Sequence, residues 1–232
     1  VGTTNDARWD AALKNHPPRK VQKWAAMAGA ACTLFGREGY TRASIDAVAA
    51  AAGVSTRTLY NHFPGGKAEL FRTVVTWTSA EVKDAQLACL DSVLPPTRPP
   101  HPDNLERDLV ALAEGFADLL TRYADHFALV RHIHAEADHV PPEVFRSWQE
   151  AGPIPVTAAL TEAFQNLHDE GLLDAHGDAA LTAAHFVALT SQTLTLRTHY
   201  GVLPLPEEES RHLLRGGVAA FLRAYRRADK AV

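Results

Sequence analysis

Along almost the whole chain, apolar residues recur at steps of three and four. No stretch alternates at steps of two for long enough to make a strand. From Val21 the residues Trp24, Ala25, Ala28, Cys32 and Phe35 form one such stripe, which ends at the pair Gly36 and Gly39. That spacing puts side chains on one face of an α-helix, where they can meet a core. A second stripe, Ile45, Val48, Ala49 and Ala52, follows Ser44, a residue type suited to an N-cap. The alanine run 49–52 favours helix by intrinsic propensity. The chain is therefore expected to be all-α, with no internal repeat.

Gly53 stops the second helix in the manner of a residue with positive φ, and Ser55 caps a short helix from Thr56 to about His62. Leu59 and Phe63 are its inward pair, and Pro64-Gly65-Gly66 breaks it before a long helix from Lys67 towards Leu90. Two helices of about seven residues joined by a glycine-containing turn make a helix-turn-helix pattern. The proline-dense segment 94–102 is a connector, since proline cannot lie in a helix interior. Beyond it four helical stretches are expected: Leu105–Tyr123, Asp125–His139, Glu143 to about Glu170 with a break near Gly152-Pro153, and Asp178–Tyr200. A last helix covers Glu207–Ala228, with Leu214, Val218, Phe221, Leu222 and Tyr225 as its stripe.

Charge is uneven. Residues 1–94 carry eleven Lys/Arg against eight Asp/Glu, whereas the remainder carries twelve against nineteen. Between Arg19 and Lys67, seven basic residues face only Glu38 and Asp46, which suggests a polyanionic partner for this part alone. The longest apolar run, Trp24 to Phe35, has twelve residues, too few for a bilayer span of about 20. Two cysteines, Cys32 and Cys89, make neither a disulfide framework nor a zinc site, which fits a reducing cytoplasm. None of the glycine-rich, nucleophile-elbow or zinc-protease motifs occurs, so no enzyme activity and no cofactor are expected. His132 with Glu136 and His134 with Asp138 are i, i+4 pairs, but they point about 200° apart around a helix and cannot share an ion. They read as surface polar residues, with no metal.

The run from Gly39 to Pro64, Gly-Tyr-Thr-Arg-Ala-Ser-Ile-Asp-Ala-Val-Ala-Ala-Ala-Ala-Gly-Val-Ser-Thr-Arg-Thr-Leu-Tyr-Asn-His-Phe-Pro, resembles the DNA-binding domain of the TetR family of transcriptional regulators. Lys67-Ala68-Glu69-Leu70 matches the family's continuation, with one residue more between Phe63 and Lys67 than the family usually has. The resemblance covers Arg19 to Phe71 and implies three parts: an arm at 1–18, a three-helix helix-turn-helix domain at 19–71, and a larger ligand-binding and dimerisation domain at 72–232, about nine helices in all. It implies a cytoplasmic, ligand-responsive repressor that grips a palindromic operator as a homodimer paired through its last two helices. An activator, or a ligand-independent DNA-binding protein of the same fold, is the alternative.

In that resemblance Ser44, Ser55, Thr58, Tyr60, His62 and Lys67 hold phosphates, which set register without reading sequence. The second helix presents Ser55, Thr56, Arg57, Thr58 and Asn61, a thin face able to enter a major groove. Arg57 has the fork that pairs with guanine, or alternatively clamps a phosphate. Tyr60 could be packing and His62 a helix end; Arg8, Lys14, Arg19 and Lys20 of the arm could reach a minor groove or do nothing. For the small-molecule effector, the candidate walls by residue type are Trp77, Phe116, Tyr123, Phe127, Trp148, Phe164 and Phe186, with Gln192, His126, His134, His185 and Thr190 as polar possibilities. For each aromatic among them, core packing is the more frequent role. Helix Asp178–Tyr200 offers Phe186, Leu189, Thr193 and Leu196, and with the last helix's stripe could form a four-helix bundle with a partner chain.

Overall fold

The computed structural model describes residues 18–227. Most of the arm, with Arg8 and Lys14, lies outside the described residues, as does Ala228. The described elements are α1 (Pro18–Arg42), α2 (Ile45–Ala51), α3 (Thr56–His62), α4 (Gly66–Val93), a 3-10 turn (Pro102–Asn104), α5 (Leu105–Arg122), α6 (Ala124–Ala135), α7 (Pro142–Ala151), α8 (Pro153–Asp169), α9 (Ala179–Leu189), α10 (Ser191–Arg197) and α11 (Glu207–Tyr225). Among the described residues there is no strand, and one isolated antiparallel bridge joins Leu173 to Arg226. The fold is all-α, as the periodicity requires. No described helix is long and apolar enough to cross a membrane, and neither Cys32 nor Cys89 is in a disulfide.

The described residues form two compact units, one of 18–79 with 125–149, the other of 80–124 with 150–227. In the first unit the stripes of α1 to α4 meet in one core: Met27, Ala28, Phe35, Val48, Leu59, Phe63, Phe71 and Val74 are all buried. Phe35 meets Phe71 edge-on at 4.8 Å. Leu129, Val130 and Ile133 of α6 are buried too. A full Leu or Phe burial contributes roughly 1.5–3 kcal/mol. Gly36 brings α1 close to α6, since a Cβ there would lie 3.4 Å from the Ala128 Cβ.

In the second unit α5 buries Leu105, Leu109, Leu112, Phe116 and Leu119, one residue per turn, and packs on α10 and α11. Phe164, Phe186 and Phe221 from α8, α9 and α11 form a triangle with ring centroids 5.2, 5.5 and 5.4 Å apart. Aromatic pairs at these spacings and tilts gain beyond their area alone. Two expectations are corrected here. The α11 stripe, Leu214, Val218, Phe221, Leu222 and Tyr225, is at most 8% exposed and is spent inside the unit, so a partner chain cannot meet it. The single helix expected over 178–200 is broken in two at Thr190, whose φ of −116° and ψ of −100° are not helical.

A local bond and a packing contact meet at that break. The Thr190 hydroxyl donates to the Phe186 carbonyl at 2.6 Å, and the Leu189 carbonyl is pressed against Gly217 of α11, where a Cβ would lie 2.0 Å from the oxygen. The expected extension to Tyr200 also fails, because His199, Tyr200 and Gly201 all have positive φ and end the chain's helical path after Arg197.

Candidate nucleic-acid interface

Each short helix of the first unit is started by its own serine. Ser44 accepts from the Ala47 amide at 3.1 Å, and Ser55 from the Thr58 amide at 3.1 Å. Such caps satisfy donors that a helix leaves unpaired, typically worth about 1 kcal/mol each. Gly53 between them has φ +65°, the left-handed value that the turn needs. Val48, Ala49, Leu59 and Phe63 are buried and fix α2 against α3. The Thr56 hydroxyl adds a tie, donating to Asp46 Oδ1 at 2.9 Å, so its proton is already committed within the fold.

What remains outside is the face expected from sequence. Ser44, Ser55, Arg57, Tyr60 and Asn61 are exposed, and Thr58 and His62 are half-buried. Tyr60 is 48% exposed, too open for an ordinary packing role. Lys67 is different. Its ammonium donates to the Thr41 carbonyl at 2.9 Å and lies 4.8 Å from the centre of the Tyr40 ring. Burial lowers its pKa, against an opposing pull from the Glu136 carboxylate. The extra residue before Lys67 is absorbed by Gly66, whose φ is +65° and which lies against the Tyr60 ring; the Gly65 amide donates to Glu69 at 2.6 Å.

Sequence reasoning missed a second set of residues beside this face. Glu136, just past α6, accepts from the Thr41 amide at 2.7 Å and from the Thr41 hydroxyl at 2.5 Å. His132 stands 3.3 Å from the same carboxylate and reaches the Gly36 carbonyl at 3.1 Å with its other nitrogen. The reading of His132 and Glu136 as surface residues is therefore corrected: their side chains are 15% and 19% exposed. Burial pushes the Glu136 carboxyl up, but the two Thr41 hydrogen bonds and His132 outweigh it, and the group is held below its ordinary value. Gly39 makes the room, with φ +82° and a Cβ position 1.8 Å from Glu136 Oε1. The only sequence signal was the Gly36/Gly39 pair, which says nothing of what would fill the space. Among the described residues no group of three His, Cys, Asp or Glu could hold a metal ion.

The effector candidates are divided between the units. Trp77 stacks on Trp24 at 5.2 Å in the first unit, where Phe127 packs on His126 and Trp148 meets His134. Phe116 and Phe186 are buried core of the second, Gln192 is exposed on α10, and Tyr123 closes α5 beneath Arg122. Of the polar possibilities, His126 is buried on the Thr78 hydroxyl at 3.1 Å, and His185 bonds the Tyr225 hydroxyl. The second unit also has a cleft of about 610 Å3 with Leu120, Leu194, Leu205 and Leu214 as apolar walls and Glu114, Asp118, Thr198 and Arg211 as polar ones. None of those candidates lines it.

With this geometry in place, comparison with known proteins decides the family. Residues 29–74 match the family model for bacterial regulatory proteins of the tetR family, and residues 107–227 match that for the C-terminal domain of AefR-like transcriptional repressors. The chain belongs to the TetR family. Its first matched segment contains α2, the Gly53 turn and α3, and the family is one of DNA-binding transcriptional regulators. Solved structures agree. A TetR-family regulator from Mesorhizobium loti MAFF303099 is 26% identical, with a TM-score of 0.70 over 90% of this chain and 98% of its own. The flavonoid-responsive regulator FrrA is 28% identical, with a TM-score of 0.62 over 90% and 98%. A TetR family regulator from Pseudomonas syringae pv. tomato str. DC3000 is 25% identical, with a TM-score of 0.64 over 88% and 97%. No curated protein matches the chain in sequence.

Proposed function

We propose that this TetR-family chain is a repressor that binds a palindromic operator as a homodimer and is released when a small molecule occupies its C-terminal domain. The observation that carries the DNA part is the α3 face, a rigidly capped helix with Arg57, Tyr60 and Asn61 turned outward. Arg57 reads a base, worth roughly 1–3 kcal/mol of discrimination. Thr56 and Asn61 stand beside it in the groove. Ser44, Ser55, Thr58, Tyr60, His62 and Lys67 set register on phosphates; for Lys67 this requires its bond to Thr41 to be exchanged for one to phosphate. The matched description of the C-terminal domain supports repression, and the relative named as flavonoid-responsive supports an effector.

Leu181, Leu189 and Leu196, between 38% and 56% exposed on α9 and α10, support pairing of two chains through the last helices, on faces other than the buried α11 stripe. A dimer would hold two α3 helices about 34–36 Å apart, one turn of DNA. An effector favouring another spacing lowers DNA affinity, and by reciprocity DNA weakens effector binding by the same factor. The test is selection of binding sites from random duplex DNA at stated salt, followed by sedimentation of the complex. A palindrome bound by two chains is the expected result. Recovery of nothing above background overturns it, and a bound palindrome that no effector library releases points to a ligand-independent binder.

A further inference from the structure

We propose that Glu136 is a positioning residue for DNA reading: its carboxylate clamps the joint between α1 and α2 and so sets where the α2–α3 pair stands. Thr41 is the centre of that joint, three residues before the Ser44 cap that starts α2. Both of its peptide groups are held by side chains distant in sequence, the amide by Glu136 and the carbonyl by Lys67. The Thr41 hydroxyl adds a second bond to the same carboxylate oxygen. Hydrogen bonds to a carboxylate are among the stronger kind, and two on one residue fix its backbone and its rotamer together.

The carboxylate is itself oriented. His132, one turn earlier, stands beside its other oxygen and anchors on the Gly36 carbonyl, so the contact between α6 and α1 is made twice. Gly39 has no side chain, and any Cβ would collide with Glu136 Oε1 and lie 2.8 Å from His132 Nδ1. The joint is shaped to admit this acid. Glu136 also lies within the segment matched by the C-terminal-domain model, residues 107–227, while its partners belong to the DNA-reading segment, residues 29–74. A displacement of α6 would therefore reach the joint before α2 through the Glu136 carboxylate, alongside the His132 contact on α1.

This assignment rests on the DNA-binding reading, and the experiment separates the two. The duplex recovered by selection is titrated with the full-length wild type and with the variants Glu136→Ala, Glu136→Asp, Thr41→Val and Thr41→Ser. The temperature is one at which circular dichroism shows every variant folded. Amide exchange over residues 39–44 is followed in the free proteins. Glu136→Ala and Thr41→Val are each expected to weaken binding about tenfold, the scale of one lost charge-assisted bond. The double variant should be no worse than Glu136→Ala alone, and Thr41→Ser, which keeps the hydroxyl, should bind like the wild type. Exchange over 39–44 should rise in Glu136→Ala and stay unchanged over α3. Wild-type affinity in Glu136→Ala, or unchanged exchange at 39–44, overturns the assignment alone. A wild type that binds no duplex overturns the DNA-binding reading and this assignment with it.

Discussion

Two adjacent glycines in α11, Gly216 and Gly217, should respond to the same substitution with opposite signs. Alanine in place of glycine in an exposed helix interior gains about 0.8–1.0 kcal/mol from propensity. At Gly216 a Cβ would meet nothing within 4 Å, so Gly216→Ala should be more stable by about 1 kcal/mol. At Gly217 a Cβ would stand 2.0 Å from the Leu189 carbonyl oxygen and 2.8 Å from its carbon, both backbone atoms of the break before Thr190. Relief requires α11 to move away by more than a bond's length, and one turn later Phe221 would leave the triangle with Phe164 and Phe186. Overpacking of this kind costs about 3 kcal/mol, so Gly217→Ala should lose about 2 kcal/mol net. Urea unfolding at two protein concentrations would measure both variants, with the second concentration reporting any coupling to dimer formation. If Gly217→Ala proved as stable as Gly216→Ala, the close approach of Leu189 to α11 would be wrong, and so would the account of the helix break.

Arg57→Ala should relax base preference at one operator position by roughly 1–3 kcal/mol, while Tyr60→Phe should weaken binding evenly across sequences; equal losses on all duplexes in both variants would remove Arg57 as the base reader. Gly39→Ala should destabilise the first unit by about 1–3 kcal/mol from its φ of +82° and ψ of 175° alone, with more from the clash on Glu136, seen as a lower urea midpoint. The Glu136 carboxyl has a folded pKa below its unfolded one, so its stabilisation is fully present above the ordinary carboxylate range and is lost as pH falls through the folded value. Unfolding followed from neutral pH downward should therefore fall less steeply in Glu136→Gln than in the wild type, and identical slopes would refute the clamp's charge.

Local pattern carried the DNA-reading module. Ser44, Gly53 and Ser55 act on neighbours three or four residues away, so their roles as caps and turn were legible before any packing was known. The helical class of the whole chain was legible for the same reason, since a stripe at steps of three and four has meaning within a single helix. The Glu136 clamp was not, because its partners are 95 residues apart and nothing in either segment names the other. The aromatic and polar residues chosen by type for a pocket were divided between two units for the same reason: type does not give position.

The sequence by itself determined that this chain is helical, where the short helix α3 starts and stops, and which of its side chains stay exposed. Those are consequences of spacing, capping and turn geometry, all set within a few residues. Only the tertiary structure decided that α11 spends its apolar stripe inside its own unit, that Thr190 breaks a helix with no proline or glycine to signal it, and that Glu136 holds the joint before α2. Each of these depends on which surfaces meet, and that is fixed by packing between elements far apart in the chain, where periodicity carries no information.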